Sequence, residues 1–392
     1  MKVSTKAFTY FSFPRSRTKV SRRKPSSLLF PSCSFRVASW AKQPCITYRV
    51  AIHLLLASLL LNGFIVRGQN APLLTPKEHQ RGTEQTFLTY PEWYLVSSPA
   101  EYATLLKTQP PSEFPFLGHT RQLWQSYGEV IKATQGKYPL NAGYHVMIVV
   151  ISASTTVEYA VRSAYETLIG RLTALTQTHG MTEEDKFAAQ AAQDYVDFIR
   201  QQPFYRFDFY DKLIRLWKET SFWGPDMLRK WERKYALTTE YAVKAGYAWF
   251  IRKMTEASYD PTIDLTVAAL DRLPAGIEGE LPEMKIMQQF PDGSALVSLP
   301  RYDAFKTYSI ALAKRGSQFQ EIAGNRSVIL VCALVPRSWS PDAQTYDLLF
   351  RQPVLTQPAL DRVVLVVPVA SLSKTLVQLT DSGYTVEHVY DY

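Results

Sequence analysis

The sequence lacks every short motif on which the common nucleotide and hydrolase chemistries are built. Its 392 residues contain no G-x-G-x-x-G, no G-x-x-x-x-G-K-S/T, no H-E-x-x-H, no C-x-x-C and no G-x-S-x-G. Phosphate cradles, helical zinc dyads and nucleophile elbows therefore have no positive support. Cysteine is nearly absent: Cys33 and Cys45 lie early, and Cys332 is alone in the remainder. That excludes a disulfide-built secreted scaffold and a cysteine-based zinc site. No metal or other cofactor is implied. Acidic residues are missing from the first 77 positions, Glu78 being the first, while twelve lysines and arginines lie between Lys2 and Arg67. Beyond Arg67, 32 basic residues face 35 acidic ones, so the overall charge of +9 is a property of the leader. A folded part near −3 has no large surplus of positive charge for phosphates, and nucleic acid is not an expected partner.

What is present begins with a hydrophobic run. Residues 50–66 read VAIHLLLASLLLNGFIV, the short end of a bilayer-spanning helix. The expectation is a single-pass anchor with the lipid bilayer as partner. The basic flank keeps the N terminus cytoplasmic and sends the body across. A cleaved signal segment and a buried soluble helix are the alternatives. Residues 1–49 are rich in Ser, Arg and Lys without acids, which suits a disordered leader, an organelle-targeting segment or a start codon assigned too early.

The body divides by composition into a helical domain at 81–260, a Pro/Gly-rich linker at 261–282 and an α/β domain at 283–392. Six of the eight tryptophans fall in the helical part. Ser98-Pro99-Ala100-Glu101 predicts a capped helix over 100–107, and further helices are expected over 119–134, 143–176, 182–200, 209–219 and 225–256. The apolar run 144–157 is interrupted by Glu158 and Arg162, so a buried central helix explains it more cheaply than a second membrane span.

In the last part, strands are expected at 295–299, 319–322, 327–335, 346–350, 363–367 and 385–390, with helices at 302–314 and 372–380. Gly324-Asn325 predicts a hairpin between the strands on either side of it. In element order this resembles a ferredoxin-like α/β plait with extra strands. The expected class is thus α+β: an N-terminal anchor helix, an aromatic-rich helical domain and a C-terminal ferredoxin-like plait. No functional residue comes with that resemblance.

One internal similarity bears on function. Residues 155–165, TTVEYAVRSAY, align without gaps to 237–247, LTTEYAVKAGY. The alignment pairs Glu158 with Glu240, Tyr159 with Tyr241 and Arg162 with Lys244. Glu and base four apart is the favourable helical order, so the plain reading is two helices each pinned by its own ion pair. The functional reading brings both glutamates, Arg162, the tyrosines and His145 to one interhelical site. Neither motif is Glu-x-x-His, which argues against a di-iron site. A second candidate is His119 with Arg121, where a helix start offers free N–H groups to an anion.

Three functions follow as expectations: a noncatalytic, membrane-tethered protein that binds a partner or ligand; an enzyme using the Glu/Tyr/Arg cluster; or a structural subunit of a membrane complex with an exposed apolar patch.

Overall fold

The computed structural model describes residues 73–256, 264–341 and 347–391. The expected leader and the expected anchor at 50–66 lie outside the described residues. Helix α1, Gln85–Leu106, runs through Pro91 and Pro99. The start expected at 100 is therefore inside it. A mid-helix proline costs about 3 kcal/mol in isolation. Here tertiary burial overrides it: Ser98 is buried with its Oγ 2.8 Å from the Tyr159 hydroxyl.

Helix α2 is Phe116–Thr134. Helix α3 runs from Ala142 to Tyr165, continues through a π-turn at Glu166–Gly170 and ends with Arg171–Ala174. Helix α4, Glu183–Ile199, opens on a capping box in which Thr182 and Asp185 exchange hydrogen bonds. Helices α5, Phe209–Glu219, and α6, Met227–Glu256, complete the helical half.

The strands are β1 (Leu265–Leu270), β2 (Lys285–Gln289) and β3 (Ala295–Pro300). After helix α7 (Asp303–Lys314) come β4 (Phe319–Ile322), β5 (Val328–Pro336), β6 (Asp347–Pro353) and β7 (Leu360–Pro368). Helix α8 (Leu372–Asp381) leads to β8 (Thr385–Val389). They form two four-stranded antiparallel sheets, ordered β2-β3-β1-β4 and β6-β7-β5-β8. This corrects the expected single plait. In the first sheet β1 pairs antiparallel with both β3 and β4, so β3 and β4 run parallel, connected through α7. The second sheet repeats the scheme, with β5 between β7 and β8 and α8 as the connection. A β-β-β-α-β unit thus occurs twice in a row, its first strand at the centre of each sheet. The opening strand of the first unit falls within the 261–282 stretch.

The hairpin expected around Gly324-Asn325 does not form, because β4 and β5 belong to different sheets. The reason is in β5 itself, VILVCALVP, which is apolar on both faces. Ile329, Val331, Ala333 and Val335 enter the core shared by the sheets, α7 and α8. Leu330 and Cys332 face Phe87, Tyr90 and Tyr94 of α1. A strand covered on both faces belongs in the middle of a sheet, as β5 does.

A second correction concerns the membrane. Among the described residues one helix is long and apolar enough to cross a bilayer, and it is Ala142–Ala174, mid-chain rather than N-terminal. It is also not the buried central helix expected from its composition: only 17% of its most apolar 18-residue stretch is buried.

Cys332 is 2% exposed on β5, and burial raises its thiol well above the ordinary range. A bulky maleimide should modify Cys332 slowly in the native protein and rapidly in urea. Rapid native labelling, read by peptide mass mapping to separate it from Cys33 and Cys45, would contradict the burial.

Candidate functional site

Helices α3 and α6 run antiparallel, as their ion pairs show: Glu158 meets Lys244, Arg162 meets Glu240, and Glu166 meets Arg233. The two matching segments therefore face each other. Arg162 Nη1 lies 3.4 Å from both Glu158 Oε1 and Glu240 Oε1. Lys244 Nζ lies 3.1 Å from Glu158 and 2.8 Å from Glu240. Each base serves its own helix and the opposite one, so two i,i+4 pairs become a crossed quartet. The cations also lie on aromatic faces, Arg162 4.6 Å from the Tyr102 ring and Lys244 5.7 Å from the Tyr195 ring.

This quartet lines a cavity of about 580 Å³, within the usual range of small-molecule sites. Tyr159 and Tyr241 line it too, with Phe207, Phe209 and Leu237 among the apolar walls and Ala188, Ala191 and Ala192 of α4 as small-residue positions. His145 is not among the lining residues; its Nδ1 is 2.9 Å from the Tyr127 hydroxyl. His119 and Arg121 stand apart on α2. His119 is fully buried beside Tyr94 (3.1 Å to Nδ1) and Glu101 (3.5 Å to Nε2), whereas Arg121 is exposed. Burial and the nearby Arg362 guanidinium lower the His119 pKa to about 3, so its ring is neutral at pH 7.

The His119 group belongs to a buried polar staple. Arg362 of β7 bonds Glu387 at 2.8 Å and Glu101 of α1 at 3.1 Å, while Glu101 accepts from Thr356 at 3.0 Å. The staple ties the helical layer to the second sheet and does not line the cavity.

A further lining acid is Glu92, on the turn of α1 where the sequence sets one acid among Tyr90, Trp93 and Tyr94. Burial raises its carboxyl to about 7, opposed by a hydrogen bond from Tyr144 and by Arg301. A raised folded pKa means that its contribution to stability is present below the unfolded value near 4.5 and is lost as pH rises through about 7. The stability of Glu92→Gln relative to wild type should therefore grow between those limits, by about 1–3 kcal/mol. Urea titrations of both proteins across pH 4–8 measure it. A constant difference would place Glu92 in solvent.

Beyond the cavity, α6 carries the charged run Arg229-Lys230-Trp231-Glu232-Arg233-Lys234. The structure buries all five charged residues. Arg229 meets Asp185 at 3.0 Å and Glu232 at 3.1 Å, Arg233 meets Glu166 at 2.8 Å, and Lys230 meets Glu184 at 2.9 Å. The π-turn in α3 presents Glu166 to this cluster, and a Cβ at Gly170 would collide with the Glu166 carboxylate. The one sequence signal for this cluster is the acidic triplet Glu183-Glu184-Asp185, opposite in sign to the basic run.

With the charges turned inward, the outer faces are left apolar. Val146, Val150, Val157, Val161, Leu168 and Leu172 of α3 are 57–66% exposed. Every exposed position of α3 from Ala142 through Ile169 is uncharged. The exposed positions of α6 from Leu228 to Phe250 are uncharged as well. Trp249 and Phe250 lie near one end of that face, and Phe222 and Trp223 are exposed just before the other.

No family model, curated protein or solved structure matches this chain. The geometry alone carries the functional reading. Among the described residues no group of three His, Cys, Asp or Glu side chains is placed to hold a metal.

Proposed function

We propose that this is a noncatalytic, membrane-associated binding protein whose helical half is applied to a bilayer by the outer face of α3 and α6. The observation that supports this is the inverted polarity of the helix pair, with ion pairs inside and valines, leucines and aromatics outside. A charge buried without need costs several kcal/mol, so an inward charged face implies that the outer face meets something as apolar as itself.

Lipid fits that face better than a protein partner does. Protein interfaces carry a polar rim, and helix seams are flanked by charged positions. Here the exposed arc of α3 has no such rim over its 142–169 length, where the one part-exposed charge, Glu158, is held by Arg162 and Lys244. Tryptophan and phenylalanine toward both ends of α6 suit the headgroup boundary. The opposite side of α3 packs on α1 and α2. The helix thus offers one face rather than its whole circumference, which favours lying along the bilayer over crossing it.

The test is depth-dependent quenching. Vesicles of brominated phosphatidylcholine should quench Trp249 and Trp223 in the full-length chain, and Trp249→Phe should remove part of the quenching. Because these tryptophans report only their own face, attachment through residues 50–66 would leave them unquenched. That outcome would reject the proposal.

A further inference from the structure

The cavity and the apolar face share residues. Met147 and Ser154 on α3, and Tyr247 on α6, line the cavity and are also exposed. The cavity therefore opens between the two helices on the side applied to the bilayer, and a lipophilic molecule reaches it without crossing water. Its interior combines aromatic and aliphatic walls with three carboxyl groups, Glu92, Glu158 and Glu240, against two cations, Arg162 and Lys244. Both cations are already shared between Glu158 and Glu240.

An anionic head would find no uncommitted cation on this wall and would face three carboxyl groups, so it is disfavoured. Hydroxyl groups suit the site, because the Glu158 and Glu240 carboxylates on its wall accept hydrogen bonds and the phenol groups of Tyr195, Tyr241 and Tyr247, also on the wall, can donate and accept them. We propose that the cavity holds the acyl chain of a single-chain amphiphile with an uncharged, hydroxyl-bearing head, taken laterally from the bilayer. The route rests on the membrane reading above; the ligand class rests on the cavity.

The experiment uses the full-length chain on phosphatidylcholine vesicles doped with a diazirine-bearing monoacylglycerol. After illumination, peptide mass spectrometry should place adducts on cavity residues such as Ala191, Phe207 and Leu237. Ala192→Trp fills the cavity and should abolish those adducts while vesicle binding persists. Ala188→Phe serves the same purpose if the first variant loses the wild-type circular dichroism. A diazirine fatty acid of equal chain length should give a yield at least about tenfold lower, as like charge opposes its carboxylate.

Adducts confined to Val157, Val161 and Trp249, with vesicle binding intact, would overturn the cavity proposal and leave the membrane reading standing. Equal yields from the acid and the monoacylglycerol would overturn the uncharged head. If the wild-type chain fails to bind vesicles, the membrane reading falls, and the cavity is then tested in solution with sub-micellar monopalmitoylglycerol by native mass spectrometry. One molecule per chain, lost in Ala192→Trp, would sustain the ligand class, and no bound molecule would overturn it.

Discussion

Replacing Arg233 with methionine should destabilise the protein by about 3–5 kcal/mol, the usual cost of leaving a buried charge without its partner. Arg233 is 2% exposed and holds Glu166 at 2.8 Å and Asp185 at 3.5 Å. Its loss strands the Glu166 carboxylate inside the helical half, away from water, and leaves Asp185 to Arg229 alone. The measurement is the urea midpoint at pH 7, converted through the unfolding slope. The double variant Arg233→Met, Glu166→Gln should recover part of the loss, because one stranded charge is removed with its partner. The destabilisation should change little with salt, since buried pairs are weakly screened. Glu129→Gln breaks the exposed pair with Lys132 on α2 and should leave the midpoint where it was. If Arg233→Met proves as mild as Glu129→Gln, the cluster is solvated and the inverted polarity of the helix pair loses its basis.

The second large effect concerns the outer face. The double substitution Val157→Glu, Val161→Glu should lower partition onto phosphatidylcholine vesicles by about 100-fold or more, since an acidic residue in apolar lipid surroundings costs up to about 2.5–3.5 kcal/mol. Both valines are about two-thirds exposed, at 65% and 64%, so the fold has little to lose. Unchanged circular dichroism and thermal midpoint are expected. Flotation should be measured on the full-length chain and on residues 70–392, which pack as one unit and omit the 50–66 segment. Asp197→Lys, on the polar exposed face of α4, is the control and should bind as wild type. If a second copy covers the face instead, light scattering should show a wild-type dimer that the double substitution converts to monomer, with no flotation of 70–392 in either form. That result would replace lipid by self-association.

The two predictions concern opposite sides of the same helices, and together they show how the sequence can mislead. Glu158 and Arg162 interrupt the apolar run after 157, which argued for a soluble core helix. In the structure Arg162 turns inward to Glu240, the half-exposed Glu158 reaches across to Lys244, and Val157 and Val161 point outward. Spacing fixes only which residues share a face; it does not say which face is turned to the protein. A core helix and a lipid-facing helix have the same period, and the choice depends on whether charged partners exist on neighbouring elements. For α3 they do, on α6, far away in sequence.

Several elements were legible because their causes are local. The helix start at Thr182, the strands at 319–322 and 363–367, and helix 209–219 follow from caps, β-branched runs and period. The pairing of strands was not legible. A Gly-Asn turn between two strands argues for a hairpin, and only the double-sided burial of β5 and the competing partners β7 and β8 send it to another sheet. The prolines of α1 are a similar case, since tertiary contacts outweigh a local helix breaker.

The sequence by itself determined the helices from α2 to α6, the i,i+4 pairs Glu158–Arg162 and Glu240–Lys244, the uneven charge of the leader and the apolar character of β5, because each is set by neighbours within a few residues along the chain. Only the tertiary structure decided that the two pairs cross into one quartet, that Arg229–Lys234 is buried against the acidic start of α4, and that the apolar faces of α3 and α6 look outward over a cavity. Those outcomes depend on how helices some eighty residues apart are turned about their axes, and the long-range ion pairs and packing that set this turn are not encoded in any local window.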